Sequence, residues 1–297
     1  MASKKKLALG MIGLDTSHCK GFAKELNKWR SKTPIKYGFP GGSEIFSHSY
    51  NRVEKFTKEL ESNHSVGMQE SIGEVAEKSD AIFLTSCDGR QHLKQFKVLS
   101  EYGKPVFIDK PFACSLSDAK KIIELSRTTY TPVFSTSSLR YYNGIHHIAD
   151  GRSVRIAEVH GPAPLLDDYP GYFWYGIHSA EILYSVLGTG CEQVKVEHNK
   201  NFDYIIGQWE NGRKGIIFGC RYDKKIGWGA RLLTDREMIV SKAQNDPSGL
   251  SLMLPYILEF FRTGKSPIRH EVMLEITAFL EAVNQGLKIS KPITLNF

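Results

Sequence analysis

The stretch LKQFKVLSEYGKPVFIDKP, residues 93–111, decides the fold. Leu93, Phe96 and Leu99 share one face of a helix, Gly103 offers the left-handed backbone that ends it, and Pro105 stands where a helix cannot continue. Val106, Phe107 and Ile108 follow, apolar on both faces, as a central strand of a parallel sheet must be. With the buried run Ala81 to Leu84 ahead of the helix, this is one βαβ unit, and its second strand runs out into Asp109-Lys110-Pro111.

The same alternation extends outward in both directions. Leu7 to Ile12 reads as a first strand, followed by a helix with Phe22, Ala23, Leu26 and Trp29 on one face. Ile35 to Phe39 is a second strand, Val53, Phe56 and Leu60 mark a second helix, and Ile72, Val75 and Ala76 a short one. Ser115 and Asp118 form a capping pair before a helix carrying Ile122, Ile123 and Leu125, and Thr131 to Ser135 reads as a sixth strand. Beyond Tyr141 the pattern changes to long strands at 154–160, 194–198, 204–209, 214–220, 229–233 and 238–241, with Asn211-Gly212 as a hairpin turn. One helix, from about Tyr175 to Leu187 and closed by Gly188, interrupts them, and two more lie near the end. The fold class is therefore α/β: an N-terminal doubly wound parallel sheet over residues 1–135 and a C-terminal α+β domain with an open, largely antiparallel sheet over 136–297. A length of 297 residues suits two such cores.

Composition narrows the partners. Hydrophobic residues at 41% and charged residues at 24% describe an ordinary folded domain, and no apolar run reaches the ~18 residues of a membrane span. The net charge of +7 raises the question of nucleic acid, but apart from Lys4, Lys5 and Lys6 the basic residues are dispersed among acids, without the stripe that a nucleic-acid footprint needs. The apolar run after those lysines ends in Asp15-Thr16-Ser17-His18 with no cleavage site, so it reads as a strand rather than a secretory leader. Five cysteines, odd in number and scattered, fit reduced thiols and a cytoplasmic protein, and none has metal-ligand spacing.

The first strand turns into its helix through Gly13-Leu14-Asp15-Thr16-Ser17-His18, where a dinucleotide fingerprint would carry three glycines and this chain carries the first alone. Two readings stay open. Thr16, Ser17 and the helix N-terminus can donate to a phosphate, with Gly13, Asp15 and His18 beside it; equally, Asp15 or Thr16 can simply cap the helix. The second strand ends without the usual acid, at Gly41-Gly42-Ser43, with Arg52 nearby. Small residues and a cation favour the 2′-phosphate of NADP over NAD, although a glycine loop without any ligand reads equally well.

Lys110 leaves a buried parallel strand at its carboxyl end, the edge at which open α/β sheets bind ligands, so it is the leading candidate for chemistry. Further on, Tyr169, Tyr172, Phe173, Trp174 and Tyr175, with Asp167 and Asp168, form an aromatic and acidic loop that suits a sugar ring or an oligomer contact. His178 and Glu181, three apart on one helix face, read either as a functional histidine or as a satisfied pair.

Taken together these residues resemble the Gfo/Idh/MocA family, which includes glucose–fructose oxidoreductase and inositol dehydrogenase. Ala81 through Thr85, then His92, the helix, Gly103-Lys104-Pro105-Val106 and Asp109-Lys110-Pro111-Phe112-Ala113 match its strand, its histidine turn and its Glu-Lys-Pro motif with Asp for Glu. Gly176-Ile177-His178, Glu181 and Leu187-Gly188 match its later helix. The resemblance implies a Rossmann domain binding NAD or NADP, with Thr85, His92, Asp109 and Lys110 among the cofactor residues. It also implies a second domain whose sheet forms a homo-oligomer, a dimer or tetramer, and a sugar, polyol or related alcohol as substrate. Lys110 would orient the hydroxyl and help move its proton, with His178 as acid/base and Tyr172, Trp174 and Tyr175 at the substrate. Chemistry supports that assignment independently: drawing a hydride from a secondary alcohol requires removal of the hydroxyl proton, which suits histidine, and a nearby lysine favours the developing alkoxide. Trp174 stands one helical turn before His178, where many relatives have Asp. Redox-neutral use of the same cofactor, as in an epimerase or glycosidase, and a catalytically silent nucleotide- or sugar-binding protein are the alternatives.

Overall fold

The computed structural model describes residues 6–28, 33–222, 226–289 and 291–295. In its first half, apolar runs and amphipathic helices alternate as β1 (Leu9–Ile12), α1 (Ser17–Lys28), β2 (Ile35–Phe39), α2 (Ser47–Tyr50), α3 (Val53–His64), β3 (Gly67–Met68), α4 (Ile72–Lys78), β4 (Ala81–Leu84), α5 (His92–Leu99), β5 (Val106–Asp109), α6 (Leu116–Thr128) and β6 (Val133–Thr136). The strands lie in the order β3-β2-β1-β4-β5-β6, and β2–β3, β1–β2, β1–β4 and β4–β5 pair in parallel. Winding reverses between β1 and β4, which makes their carboxyl ends the switch point of a doubly wound sheet. Every residue of β1, β4, β5 and β6 is buried, as strands covered on both faces require. β3 and α2 are too short to carry a period and have no sequence signature. On α1, Phe22, Ala23 and Leu26 are buried, whereas Trp29, expected on the same face, lies outside the described residues.

The second half begins with β7 (Val154–Pro162) and α7 (Gly176–Leu187) and continues through β8 (Cys191–His198), β9 (Phe202–Trp209), β10 (Lys214–Cys220), β11 (Gly229–Thr234) and β12 (Met238–Lys242). Helices α8 (Gly249–Thr263) and α9 (His270–Gly286) and the short β13 (Ile293–Thr294) complete it. Its sheet runs β12-β11-β7-β10-β9-β8-β13, antiparallel except where β7 and β10 pair in parallel at its middle. Asn211 and Gly212 take positive φ of 65° and 79° between β9 and β10, the conformation that an Asn-Gly turn supplies at low cost. Helices α7 and α9 touch each other, with α7 against β7 and β10 and α9 against β8.

Contacts divide the chain into two units, and the main change comes between Ser135 and Thr136. Two segments lie across that simple division. Cys114–Leu116 belong to the second unit, and Met253–Ile268, which the sequence places with the second half, belong to the first. The reason lies in one face of the parallel sheet. Phe83, Phe107 and Phe134 form a row across β4, β5 and β6, which Phe22 of α1 contacts from one end and Phe260 and Phe261 of α8 from the other. Each fully buried ring contributes about 1.5–3 kcal/mol, so this helix gains more on the sheet than in water.

Candidate functional site

Gly13 has a φ of +82°, and a Cβ placed there would lie 2.2–2.4 Å from Oγ, N and Cα of Ser86. The glycine is therefore demanded by the meeting of the β1 and β4 turns, independently of any ligand. The backbone N–H groups of Gly13 and Leu14 donate to the carbonyls of Phe39 and Pro40.

Asp15 is fully buried, and its carboxylate turns inward. One oxygen accepts from the Cys87 N–H at 2.9 Å and the other from the Ser49 hydroxyl at 2.6 Å. Ser49 Oγ in turn accepts from the N–H of Ser43, whose own hydroxyl donates to Asp88, itself paired with Arg90. Ser43 is thus a member of a buried polar network. Burial raises the Asp15 carboxyl above its ordinary value, and the bonds from Ser49 and Cys87 offset this only in part. The folded protein then holds a proton where the unfolded chain has lost it, so the contribution of Asp15 to stability declines as pH rises above the ordinary value of 3.8. Asp15→Asn is expected to lose less stability between acid and neutral pH than the parent protein; urea denaturation across that range would show parallel curves if this is wrong.

The neighbouring edge is knitted by the residues that the resemblance assigns to the cofactor. Thr85 donates its hydroxyl to the Gly13 carbonyl at 2.8 Å, and the fully buried His92 lies between the carbonyls of Ser86 and Phe112 at 2.8 and 3.2 Å. Both serve as braces that hold the turns after β1, β4 and β5 in place. Asp109 ends β5 with its Oδ2 2.7 Å from Nδ1 of His18, at the first turn of α1. Lys110 follows, half-buried, at a cis bond to Pro111. Loss of solvation lowers the pKa of its ammonium against the pull of Asp109, and Arg52 lowers it further. Arg52 itself donates to the carbonyl of His48 and has its Nη2 3.7 Å from the Cys87 sulfur. It turns toward the strand ends rather than standing out as a cation for a 2′-phosphate.

In the second unit Nδ1 of His178 lies 2.6 Å from the Ser137 hydroxyl, and the ring meets Tyr175 and Trp228 edge-on at 5.6 and 5.4 Å. Glu181, one turn later, accepts from Arg140 at 2.7 Å and from Thr136 at 3.1 Å. The histidine and the glutamate thus dock on consecutive residues of one segment. Trp174 is 8% exposed among Tyr169 and Tyr175, and Tyr172, 1% exposed, donates its hydroxyl to Asp203. Tyr172 is a core residue whose polar atom is already spent; Tyr175 keeps partial exposure. Trp228, Ser137 and Arg140 escape a sequence reading, since no spacing links them to residue 178, whereas the polar run Thr85-Ser86-Cys87-Asp88 after an apolar strand was a legible signal for the Asp15 network. Among the described residues no group of three or more His, Cys, Asp or Glu side chains could hold a metal, and no helix is long and apolar enough to cross a membrane.

A pyrophosphate needs donors and no opposing carboxylate at the turn after β1. With Asp15 buried and Thr16 and Ser17 at the start of α1 half-buried and exposed, the residues present fit that group. Residues 9–136 match the model of the oxidoreductase family with an NAD-binding Rossmann fold, Gfo/Idh/MocA. No curated protein matches the chain. Among solved structures, myo-inositol 2-dehydrogenase from Lactobacillus plantarum superposes with a TM-score of 0.78 at 13% identity, over 98% of this chain and 100% of that one. The WlbA dehydrogenase from Bordetella pertussis, in complex with NADH and UDP-GlcNAcA, gives 0.78 at 14% identity over 99% and 100%. An oxidoreductase from Agrobacterium radiobacter, in complex with NAD+, L-tartaric acid and magnesium, gives 0.77 at 13% over 98% and 99%. At such identities the likeness carries the fold alone, but it spans both units. Residues 9–136 therefore belong to the Gfo/Idh/MocA family of NAD-binding oxidoreductases, and the chain as a whole has the fold of these dehydrogenases.

Proposed function

We propose that this protein is a nicotinamide-dependent oxidoreductase that oxidises a sugar, polyol or related alcohol. The observation that carries the reading is Lys110, a lysine of lowered pKa at the carboxyl end of β5, on the ligand-binding edge of an NAD-binding sheet. The bound dinucleotide supplies the hydride acceptor. Thr16, Ser17 and the start of α1 hold its phosphates. Lys110 binds the substrate hydroxyl and favours its alkoxide, and His178, oriented by Ser137, exchanges the proton. Tyr175 and Trp174 offer apolar surface to the ring.

For the cofactor, the inward engagement of Ser43 and Arg52 removes the argument for NADP. The first carboxylate after β2 is the exposed Glu44, placed to meet ribose hydroxyls. NAD is expected to bind at least as tightly as NADP in calorimetric titrations, and Glu44→Gln to narrow the difference. A clear preference for NADP in the parent protein would reverse this assignment. The reading as a whole is tested by titrating the purified protein with NADH and following NAD+ reduction over a panel of polyols and aldonic acids. Absence of binding would leave a silent fold, and binding with substrate turnover but no net reduction would favour the redox-neutral alternative.

A further inference from the structure

His18 stands in the turn after β1 where a dinucleotide fingerprint has its third glycine. Its ring reaches past the end of β4 to the end of β5, with Nδ1 2.7 Å from Oδ2 of Asp109. Asp109 is 3% exposed. Burial pushes its carboxyl up, but His18 and Lys110 together outweigh this and hold it below the ordinary value, so it stays ionised. An ionised carboxylate only accepts, so Nδ1 must carry the hydrogen of this bond. The lone pair of the neutral ring is then on Nε2, which has no hydrogen-bond partner among the described residues, and the side chain keeps 21% exposure. The groups around the dyad are Asp109 and Lys110 from the end of β5 and Phe22 on the same helix, whose ring meets the imidazole edge-on at 6.2 Å. A histidine with Nδ1 clamped to a buried carboxylate and Nε2 presented outward is the geometry by which an imidazole accepts a proton from a hydroxyl.

We propose that His18 is an acid/base group of the active site, its Nε2 receiving the proton of the substrate hydroxyl at the edge that bears Lys110. This rests on the reading of that edge as the site of nicotinamide-dependent oxidation. The balance is complete: the substrate C–H bond breaks with its electron pair passing to the nicotinamide ring, the O–H proton goes to Nε2, and the carbonyl forms. Asp109 offsets the imidazolium charge until water takes the proton. A simple strut joining α1 to β5 would show the same bond to Asp109, so the test must sense the reacting ring. The full-length protein with ¹⁵N-labelled histidine is titrated with pH by NMR alone, with NAD+ and with NADH, the resonances of His18 being assigned by their loss in His18→Asn. That substitution keeps an N–H donor for Asp109, and NADH affinity of the variant checks its fold. The expected result is the Nδ1–H tautomer, and an Nε2 that titrates about half a unit or more lower with the cationic NAD+ than with NADH, because a like charge disfavours the imidazolium. An Nε2–H tautomer, or nucleotide binding that moves other resonances but leaves His18 equal in both complexes, would overturn the proposal. Failure of either nucleotide to perturb any resonance would instead overturn the dinucleotide reading on which it rests.

Discussion

Lys110→Met is expected to lower kcat on the alcohol substrate by roughly two to four orders of magnitude, the range typical of a lost acid/base. NADH affinity should change little, since the ammonium is assigned to the substrate hydroxyl and the phosphates to the start of α1. Methionine preserves the length and packing of the side chain while deleting the charge, so the loss reports chemistry rather than folding. His178→Ala is expected to cost a similar factor. If both groups serve one hydroxyl, the double variant loses less than the product of the two single losses. Steady-state kinetics of the three variants decide the matter: full multiplication would show that the two residues act in separate steps, and an unchanged kcat in either single variant would remove that residue from the mechanism.

The second large effect concerns the support beneath the aromatic loop. Asp203 is fully buried and accepts from the Tyr172 hydroxyl at 2.6 Å, from both terminal nitrogens of Arg221, and lies 2.5 Å from Nδ1 of His198. These bonds tie the turn before α7 to β8, β9 and the segment after β10, and so position the helix that carries His178. Asp203→Ala leaves a largely buried guanidinium without its anion and a buried phenol without an acceptor, a defect that costs about 3–5 kcal/mol. Urea unfolding should show a correspondingly lower midpoint, with Asp203→Asn intermediate because one acceptor survives. A loss under about 1 kcal/mol, the value of an exposed ion pair, would mean that the network is not needed.

Local chemistry determined much of this protein before any tertiary contact was known. Val106, Phe107 and Ile108, apolar on consecutive positions after Gly103 and Pro105, admit little other than a central parallel strand, and Lys110 at its end follows from that strand alone. Asn211-Gly212 likewise specifies its own hairpin. Elements of two to four residues, β3, α2 and β13, stayed illegible because they complete no period, and the parallel pairing of β7 with β10 arises between strands far apart in the chain.

The site divides in the same way. Sequence marks residue types at strand ends but not the direction in which a side chain points, and at this edge direction is the outcome of competition for buried hydrogen bonds. Asp15 looked like a charge opposing a phosphate; Ser49 and Cys87, 34 and 72 residues away, draw it inward. Ser43 and Arg52 looked like ribose contacts; Asp88, Cys87 and the His48 carbonyl engage them instead. His18 looked like a defect in a glycine turn, and only the end of β5, 91 residues on, gives its ring a carboxylate and a defined tautomer. The sequence by itself determined the layers and the edge at which chemistry occurs, because apolar periodicity and backbone chemistry are local. Tertiary structure alone decided which polar groups at that edge are spent on the protein and which remain for a ligand, because a buried donor or acceptor must find its partner wherever the fold brings one.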